Sequence, residues 1–502
     1  MKYDRLTDLL RYRSETDAEK CFVREIATQT ELTFSGFFQL VQERARFMQS
    51  CGLQAGDRVG LLEGNSVGFM TDFFAVLEND AIVVPINAAL KDRELSYIFQ
   101  DAGLNYAVVE KAEKRIVTLL GAEHVCKIDE NTVFVQSGAY EKESAQDELL
   151  EGTALILYTS GSTGKAKGVM LTHQNLLAEM KNIMDAHKLT TEDKVLCVLP
   201  WFHINGLVIT MLTPLLAGHE IVVAERFSQK NFWKWIDQYQ ITWFSGVPTI
   251  YVYLLAEEDS AKHHTLRFAR SASSSLPVQI LQEFEQRYQV PVIESYGMTE
   301  GGSQLTSNPV PPEVRKPGSV GLPCGLEMRI VDDAGNTCRT GEVGEVQFCG
   351  RSISKGYYKK KKETEEAFDG RWFRTGDMGC VDEDGYLYLS GRKKELINRA
   401  GEKFSPQEID EILYRCKGIK MAAAVGVPDH ARGEETVAFC VPKEKKKPSE
   451  EEILAFCRTY LADYKLPKEI IWIDELPIGG NGKIQRLKLK EEYARIKDNE
   501  KN

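Results

Sequence analysis

Several features that would assign this 502-residue chain to a common protein class are missing. Its eleven cysteines form no C-x-x-C pair, which is the usual signature of zinc ribbons and thioredoxin-like sites. Basic residues do not dominate, because 63 Lys and Arg stand against 74 Asp and Glu, for a net charge of −11. Broad binding to nucleic acid needs many cations directed at phosphates. We therefore expect no nucleic-acid partner.

Long apolar segments are missing as well. The longest run, Leu207 to Ala217, contains threonines and Pro214 and is too short to cross a bilayer, so it predicts a buried helix. The first twenty residues are charged throughout and lack the apolar core of a secretory signal. Scattered, unpaired cysteines are typical of reducing compartments. We expect a cytoplasmic protein without a transmembrane segment.

Length and charge indicate more than one folding unit. At about 150 residues per domain, the chain suggests roughly three units. Residues 391–502 carry a net charge of +3, whereas residues 1–390 carry −14. This change coincides with the end of the strand-like run at 386–392. We predict an N-terminal domain over residues 1–390 and a smaller C-terminal domain over 391–502.

The pattern of apolar residues predicts an α/β fold. Short apolar runs alternate with helical segments in the first part of the chain, as in parallel sheets covered by helices on both faces. From about 318 to 390, strands and Asp-containing turns follow each other closely, which indicates a small β-rich subdomain. The fold class is therefore a large N-terminal domain of two helix-covered sheets with a β-rich subdomain, followed by a smaller α+β domain.

The C-terminal domain has clear helix starts. Ser405-Pro406 supplies an N-cap and a preset backbone angle, and SEEE at 449–452 supplies an N-cap with early acidic residues. These signals predict helices over 405–414 and 449–461. Apolar runs predict strands over 421–427, 436–441 and 470–473.

The most informative segment is LYTSGSTGKAKG at 157–168. An apolar run ends there at a loop with three glycines, four hydroxyl side chains and two lysines. Glycines let backbone N–H groups approach an anion, hydroxyls donate hydrogen bonds and lysines supply positive charge. The loop predicts a polyphosphate site. It is not a Walker A loop, because only two residues separate Gly161 from Gly164 and Ala166 follows Lys165.

Five further motifs follow this loop in order. They are WFHINGL (201–207), SYGMTEGG (295–302), WFRTGD (372–377), GRKKELINRAGEKFSPQEID (391–410) and GNGKIQR (480–486). Together the six motifs resemble the adenylate-forming superfamily of acyl-CoA synthetases, peptide-synthetase adenylation domains and luciferases, over essentially the whole chain. The resemblance implies an enzyme that converts a carboxylate and ATP into an acyl-adenylate and pyrophosphate, and then forms a thioester, usually with coenzyme A.

The resemblance also implies which residues would bind ATP. The phosphate set would be Thr159, Ser160, Gly161, Ser162, Thr163, Gly164, Lys165 and Lys167. The nucleoside set would be Ser273, Ser274, Ser275, Tyr296, Gly297, Met298, Asp377 and Arg392. Thr299 would bind the α-phosphate, and Glu300 would ligate Mg²⁺, which prefers carboxylate oxygen. Lys483 would bridge the α-phosphate and the acyl carboxylate, since an ammonium group on a long stem suits that task. The implied catalytic set is Lys483, Thr299, Glu300 and His203.

The second half-reaction implies a moving domain. Lys483 has to leave the site before a thiol can enter, which accounts for a separate C-terminal lid on a hinge. The family's hinge position corresponds to Lys394. The family's pantetheine passage corresponds to Gly401 and Lys403.

The acid pocket implied by the resemblance is mostly small or apolar. It comprises His203, Asn205, Gly206, Gly246, Val247, Ser271, Gly297, Met298 and Ser303. This lining favours an aliphatic, fatty-acid-like monocarboxylate. Residues 240–320 look closest to the oxalate–CoA ligase group, which leaves oxalate as an alternative. That group tends to have histidines where this chain has Asn205 and Ser303, which weakens a site for a second carboxylate.

Three kinds of function stay open at this point. The first is a free-standing acyl-CoA ligase, and no phosphopantetheine attachment motif of the DSL type follows the C-terminal domain. The second is an enzyme that loads a separate acyl carrier protein. The third is a nucleotide-binding regulator without catalysis, which the presence of Glu300, Asp377 and Lys483 disfavours. The expected ligands are ATP, Mg²⁺, coenzyme A and a small carboxylic acid, in a monomer or homodimer.

Overall fold

We describe the protein from a computed structural model. The structure describes residues 3–110, 114–138, 148–159, 166–257, 265–393, 395–429, 431–443, 447–479 and 484–501. Residues 160–165, Lys394 and Lys483 therefore lie outside the described part of the chain, as does the side chain of Lys403. No helix among the described residues is long and apolar enough to cross a membrane.

Strands and helices alternate along the first two thirds of the chain. The strands up to residue 323 are β1 (Cys21–Glu25), β2 (Glu31–Thr33), β3 (Arg58–Leu62), β4 (Ile82–Pro85), β5 (Tyr106–Glu110), β6 (Ala122–Lys127), β7 (Thr132–Ser137), β8 (Thr153–Thr159), β9 (Lys167–Thr172), β10 (Lys194–Cys197), β11 (Glu220–Val223), β12 (Trp243–Gly246), β13 (Phe268–Ser271), β14 (Val292–Tyr296), β15 (Thr306–Ser307) and β16 (Leu322–Pro323). The helices here are α1 (Leu6–Thr16), α2 (Phe34–Ser50), α3 (Val67–Glu78), α4 (Asp92–Ala102), α5 (Lys114–Leu119), α6 (His173–Ala186), α7 (Thr213–Ala217), α8 (Gln229–Tyr239), α9 (Pro248–Leu255) and α10 (Val278–Tyr288).

The last third is richer in strands. They are β17 (Glu327–Val331), β18 (Gly344–Cys349), β19 (Phe368–Asp369), β20 (Trp372–Val381), β21 (Leu387–Arg392), β22 (Ile397–Arg399), β23 (Glu402–Phe404), β24 (Ile419–Asp429), β25 (Gly433–Pro442) and β26 (Glu469–Trp472). The helices are α11 (Lys361–Ala367), α12 (Pro406–Tyr414), α13 (Glu450–Arg458) and α14 (Arg486–Lys501). Ser405 and Ser449 cap α12 and α13, as the sequence predicts.

Two large sheets form the N-terminal part. One has nine strands in the order β16-β15-β14-β13-β12-β10-β11-β1-β2, and the other has seven in the order β6-β7-β5-β3-β4-β8-β9. The central strands of both are parallel, but antiparallel pairs occur at the edges, so the sheets are mixed rather than purely parallel. The largest apolar cluster combines residues of both sheets with α2, α3 and α6. Ten of the twelve residues of α3 are buried, eight of them apolar and two polar, Thr71 and Asp72, of which Asp72 forms an ion pair with Arg44.

Two smaller sheets complete the fold. Strands β17, β18, β20, β19 and β21 form an antiparallel sheet, and β22 to β26 form the C-terminal sheet with α12 and α13. The predicted α/β class, with a large N-terminal part and a smaller C-terminal domain, is confirmed. The domain boundary at residue 391 stays a prediction and falls within β21.

The predicted helix over 207–217 has an unusual beginning. It starts as a wide π-helical segment over Asn205–Leu212 and continues as α7. All eight residues of the π-helical segment are buried. The segment places the side chain of Asn205 beside β12 and β13, next to a cavity.

Candidate active site

The predicted phosphate loop connects two antiparallel strands. In the hairpin of β8 and β9, Thr159 lies opposite Lys167. The predicted phosphate residues Ser160, Gly161, Ser162, Thr163, Gly164 and Lys165 lie outside the described residues. The two described ends of the loop are therefore held together by strand pairing.

A side-chain cluster fixes the base of this hairpin. Tyr158 donates a hydrogen bond from its hydroxyl to Asp101 at 2.9 Å, and the Lys360 ammonium donates to the same carboxylate at 2.7 Å. The Tyr97 hydroxyl donates to the carbonyl of Ala166 at 3.0 Å. Helix α4 and the segment before α11 thus position both strands that carry the loop.

Three predicted nucleoside residues meet beside the antiparallel sheet of β17 to β21. The Tyr296 hydroxyl at the end of β14 donates to Oδ2 of Asp377 in β20 at 2.5 Å. Nε of Arg392 in β21 lies 3.1 Å from Oδ1 of Asp377, because β20 and β21 pair these two residues directly. Burial, followed by the charge of Asp377, raises the pKa of Tyr296 well above its ordinary value. Tyr296 is thus a neutral hydroxyl donor to this carboxylate.

The backbone after Tyr296 is tightly packed. A Cβ atom at Gly297 would lie 1.7 Å from the carbonyl oxygen of Ser303, so no other residue fits this conformation. Met298 precedes a short 3₁₀ helix, Thr299–Gly301, which carries Glu300. Ser274 and Ser275 are exposed in the loop after β13.

Glu300 has a partner that sequence reasoning missed. The Tyr357 hydroxyl donates to Oε1 of Glu300 at 2.8 Å, and the Lys167 ammonium lies 4.7 Å from the centre of the Tyr357 ring. Tyr357 therefore links the predicted metal ligand to the phosphate hairpin. The GYY run at 356–358, just before a lysine run, is the only sequence signal at this position.

The donor set around Glu300 fits Mg²⁺ held mainly by substrate. Among the described residues no group of three or more His, Cys, Asp or Glu side chains could hold a metal ion. Mg²⁺ in nucleotide enzymes is typically bound by one or two carboxylates together with phosphate oxygens and water. One carboxylate beside a polyphosphate loop matches that pattern.

A cavity of about 450 Å³ lies between the carboxyl ends of β10 and β12 and the π-helical segment. Four predicted acid-pocket residues line it, namely His203, Asn205, Gly206 and Val247. The other five predicted residues are not among its lining residues, namely Gly246, Ser271, Gly297, Met298 and Ser303. Ser273, predicted for the nucleoside, also lines the cavity. The lining residues that sequence reasoning missed are Val198, Leu199, Pro200, Phe202, Glu225, Arg226, Phe227, Thr249, Ile250, Tyr253 and Gly479.

One lining residue comes from the C-terminal domain. Gly479 directly precedes the segment that carries the predicted Lys483. Helix α9 contributes to the opposite wall and also packs on the C-terminal domain, since Val252 belongs to the apolar cluster of β24 and β25. The C-terminal domain therefore lies over the cavity.

The predicted pantetheine position is an open turn. Gly401, between β22 and β23, has φ of +96° and no atom within 4 Å of an added Cβ. Its N–H donates to the Asn398 side chain at 3.2 Å. The turn has the space that the prediction requires, and Lys403 follows it in β23.

The polar floor of the cavity is a second feature missed from the sequence. Asn205 accepts hydrogen bonds at its side-chain oxygen from Arg270 at 3.0 Å and from Ser245 at 3.1 Å. Its side-chain nitrogen donates to the Ser273 hydroxyl at 3.1 Å. Arg270 also donates to Gln304 at 3.1 Å. Only Asn205 and Ser273 of this group line the cavity.

Comparison with known proteins agrees with this geometry. The family model "AMP-binding enzyme" matches residues 11–358, and "AMP-binding enzyme C-terminal domain" matches residues 408–483. The chain belongs to the AMP-binding enzyme family. It is 38% identical to an oxalate–CoA ligase of Arabidopsis thaliana over 92% of this chain and 93% of the relative.

Other relatives match this AMP-binding enzyme over almost its whole length. A sulfoacetate–CoA ligase of Cupriavidus necator is 37% identical over 97% of both chains. The crystal structure of ATP-bound MatB from Rhodopseudomonas palustris superposes with a TM-score of 0.88 at 28% identity, over 98% of this chain and 99% of that one. The predicted adenylate-forming family and the acid–thiol ligase class are confirmed, as are ATP, Mg²⁺ and coenzyme A as ligands.

Proposed function

We propose that this AMP-binding enzyme joins an aliphatic monocarboxylic acid to coenzyme A. A carboxylate oxygen of the acid attacks the α-phosphorus of ATP, and pyrophosphate leaves. The coenzyme A thiol then attacks the acyl carbon of the adenylate, and AMP leaves. Three observations support the proposal: the hairpin that carries the predicted phosphate loop, the Tyr296–Asp377–Arg392 cluster, and a cavity of about 450 Å³ lined by four of the predicted acid-pocket residues.

Within this proposal the first half-reaction uses positioning and charge. Thr159, Lys167 and the glycine-rich segment between them hold the β- and γ-phosphates. Tyr296 stacks on the adenine, and Asp377, with Arg392, binds the ribose hydroxyls. Mg²⁺, when bound by Glu300 and phosphate oxygens, neutralises charge on the polyphosphate. Thr299 donates to the α-phosphate.

The second half-reaction is proposed to need a moved C-terminal domain. Lys483 holds the α-phosphate and the acid carboxylate during adenylation. Rotation near Lys394 then removes Lys483 and brings Gly401 and Lys403 to the site. Gly401 supports this assignment because it leaves open space at a turn.

The proposed acid is aliphatic because the cavity walls are mainly apolar. Val198, Leu199, Phe202, Val247 and Ile250 all face the cavity. Its volume of about 450 Å³ exceeds what a two-carbon acid needs. His203, at the cavity wall, is proposed to contact the carboxyl end.

A small acid with a second anionic group is the other candidate. The observation that favours it is Arg270, a buried cation that is separated from the cavity only by the side chain of Asn205. Relatives that are 37–38% identical are named for oxalate and sulfoacetate, both of which carry two anionic groups. These observations support the second candidate independently of the apolar walls.

Two further points belong to the proposal. Coenzyme A is the proposed acceptor, and an acyl carrier protein is the alternative acceptor. A cytoplasmic location is supported by the cysteines, since all eleven are free thiols.

One screen tests the proposed function. Pyrophosphate release would be measured with acetate, hexanoate, dodecanoate, benzoate, oxalate, malonate and sulfoacetate, each with and without coenzyme A. We expect the highest rate with an aliphatic monocarboxylate and a thioester product only when coenzyme A is present. Release of adenylate without thioester would favour a carrier protein as acceptor, and no turnover with any acid would contradict the proposal.

A further inference from the structure

Arg270 is a buried cation whose hydrogen-bond partners in the described chain are all neutral. It lies in β13, is 1% exposed and forms no ion pair with any described residue. Its Nη1 donates to Asn205 and to Ser245, both at 3.0 Å, and its Nε donates to Gln304 at 3.1 Å. All three partners are neutral. A buried charge is costly unless an opposite charge or several good hydrogen bonds stabilise it.

Two further titratable groups lie in this network: Glu179, which interacts electrostatically with Arg270, and His187. Glu179 accepts a hydrogen bond from the backbone N–H of Gln304, but burial raises its pKa to about 8. His187 contacts the Gln304 side chain at 3.0 Å, and burial lowers its pKa to about 3. Arg270 keeps a pKa of about 10 despite its burial. Burial therefore opposes a charge on Glu179 and on His187, whereas Arg270 stays protonated at neutral pH.

Asn205 connects this charge to the cavity. Its side-chain oxygen accepts from both Arg270 and Ser245, so the amide orientation is fixed and the –NH₂ group is directed to Ser273 and the cavity. An acceptor polarised by a guanidinium makes the N–H bonds on the same amide better donors. The cavity floor thus presents oriented donors with a positive charge behind them, which is the arrangement that recognises an anion.

We propose that Arg270 is the specificity-determining residue of the acid site, and that it acts through Asn205 to bind an anionic carboxylate or sulfonate group of the acid. This assignment rests on the proposed function and deepens it. Two parts of the acid could supply the anion, namely the reacting carboxylate or a second anionic group. Arg270 itself is a positioning residue, because Asn205 lies between it and the cavity.

The decisive variants change the charge or the donor while keeping side-chain volume. Asn205→Asp places a carboxylate against Arg270, which should neutralise the cation and remove the –NH₂ donor. Arg270→Met removes the charge with a side chain of similar length, and Arg270→Lys retains it. Arg58→Met is the matched control, because Arg58 is equally buried but binds backbone carbonyl oxygens near α4.

The measurement is the KM of the acid against the KM of ATP, with thermal stability followed in parallel. We expect Asn205→Asp and Arg270→Met to raise the acid KM about tenfold with little change in the ATP KM, since hydrogen bonds to charged groups contribute this much. Arg270→Lys should restore part of the acid affinity. Asn205→Asp keeps the side-chain size and gives Arg270 an opposite charge, so we expect it to change the melting temperature less than Arg270→Met does. A rise in the acid KM with a nearly unchanged melting temperature is a result that a purely structural role would not produce.

The acid panel identifies the source of the anion. A rise in KM for hexanoate, malonate and sulfoacetate alike would assign Arg270 to the reacting carboxylate. A rise for malonate and sulfoacetate alone would assign it to a second anionic group. Unchanged acid KM values in both Asn205→Asp and Arg270→Met, in a wild-type enzyme that makes thioester, would overturn the Arg270 assignment and leave the proposed function intact. A wild-type chain that makes no thioester with any acid contradicts the proposed function instead.

Discussion

At the scale of single residues, the Asp377 carboxylate is fixed from two sides by the protein itself. Tyr296 donates to one oxygen and Arg392 lies beside the other. The strand pair β20–β21 places Arg392 directly opposite Asp377, so the orientation follows from backbone register. Only 5% of Asp377 is exposed, which leaves little freedom for another rotamer. Such support by neighbouring side chains is what a precise ligand site requires.

Tyr296→Phe tests this arrangement. We expect the KM of ATP to rise about fivefold, since one hydrogen bond contributes roughly 1 kcal/mol, while the KM of the acid stays unchanged. Steady-state pyrophosphate release at saturating acid measures the effect. Tyr386→Phe, which removes a hydrogen bond to the Val314 carbonyl in the same part of the fold, is the control. An equal loss of ATP affinity in both variants would contradict a specific role of Tyr296.

Tyr357→Phe tests the link between Glu300 and the phosphate hairpin. The variant removes the hydroxyl that donates to Glu300 but keeps the ring beside Lys167. We expect about fivefold more Mg²⁺ to be needed for half-maximal activity, and weaker Mn²⁺ binding by magnetic resonance in the presence of ATP. Tyr388→Phe is the matched control, because that hydroxyl lies 3.5 Å from the Asp382 carboxylate. An unchanged Mg²⁺ concentration for half-maximal activity would show that the Tyr357 hydroxyl does not contribute to Mg²⁺ binding.

At the scale of elements, the sequence predicted individual strands and helices better than it predicted which strands pair with each other. The strands predicted over 421–427 and 436–441 are found as β24 and β25, and Ser449 caps α13, because strand propensity and capping depend on neighbouring residues. The hairpin of β8 and β9 was not predicted, since an apolar run does not encode the direction of its partner. The Arg270 network joins residues 25 to 65 positions apart, which no local pattern reveals.

The π-helical segment over Asn205–Leu212 depends on a glycine. A Cβ atom at Gly206 would lie 2.4 Å from the Pro200 carbonyl oxygen and 2.7 Å from that of Leu199. Both contacts are with backbone, so Gly206→Ala should displace the segment and the Asn205 side chain. We expect a loss of about 1–3 kcal/mol of stability and a marked rise in the acid KM.

Denaturant unfolding and acid titration measure the two effects of Gly206→Ala. Gly64→Ala is the control, because a Cβ there meets only a side-chain oxygen of Glu110 at 3.8 Å. We expect Gly64→Ala to change neither quantity. A stable Gly206→Ala variant with normal acid affinity would show that the segment tolerates the extra methyl group.

At the scale of the whole molecule, helix α9 contacts both the cavity and the C-terminal domain. Thr249, Ile250 and Tyr253 line the cavity, whereas Val252 packs against the apolar cluster of β24 and β25. The Lys420 ammonium lies 5.8 Å from the Tyr253 ring centre, which adds a second contact with the C-terminal domain. The position of that domain and the shape of the cavity are therefore physically linked through one helix.

Val252→Asp tests whether this contact holds the proposed adenylation arrangement. Val252 is 8% exposed, so a carboxylate there would be buried against apolar side chains unless the C-terminal domain moved away. We expect ATP–pyrophosphate exchange to fall at least about tenfold. Thioester formation from supplied acyl-adenylate should be largely retained, because it uses the other proposed arrangement. Val343→Asp, at a position that is 55% exposed, should leave both rates unchanged. Equal losses in the two half-reactions would show that Val252 supports the N-terminal fold rather than the position of the C-terminal domain.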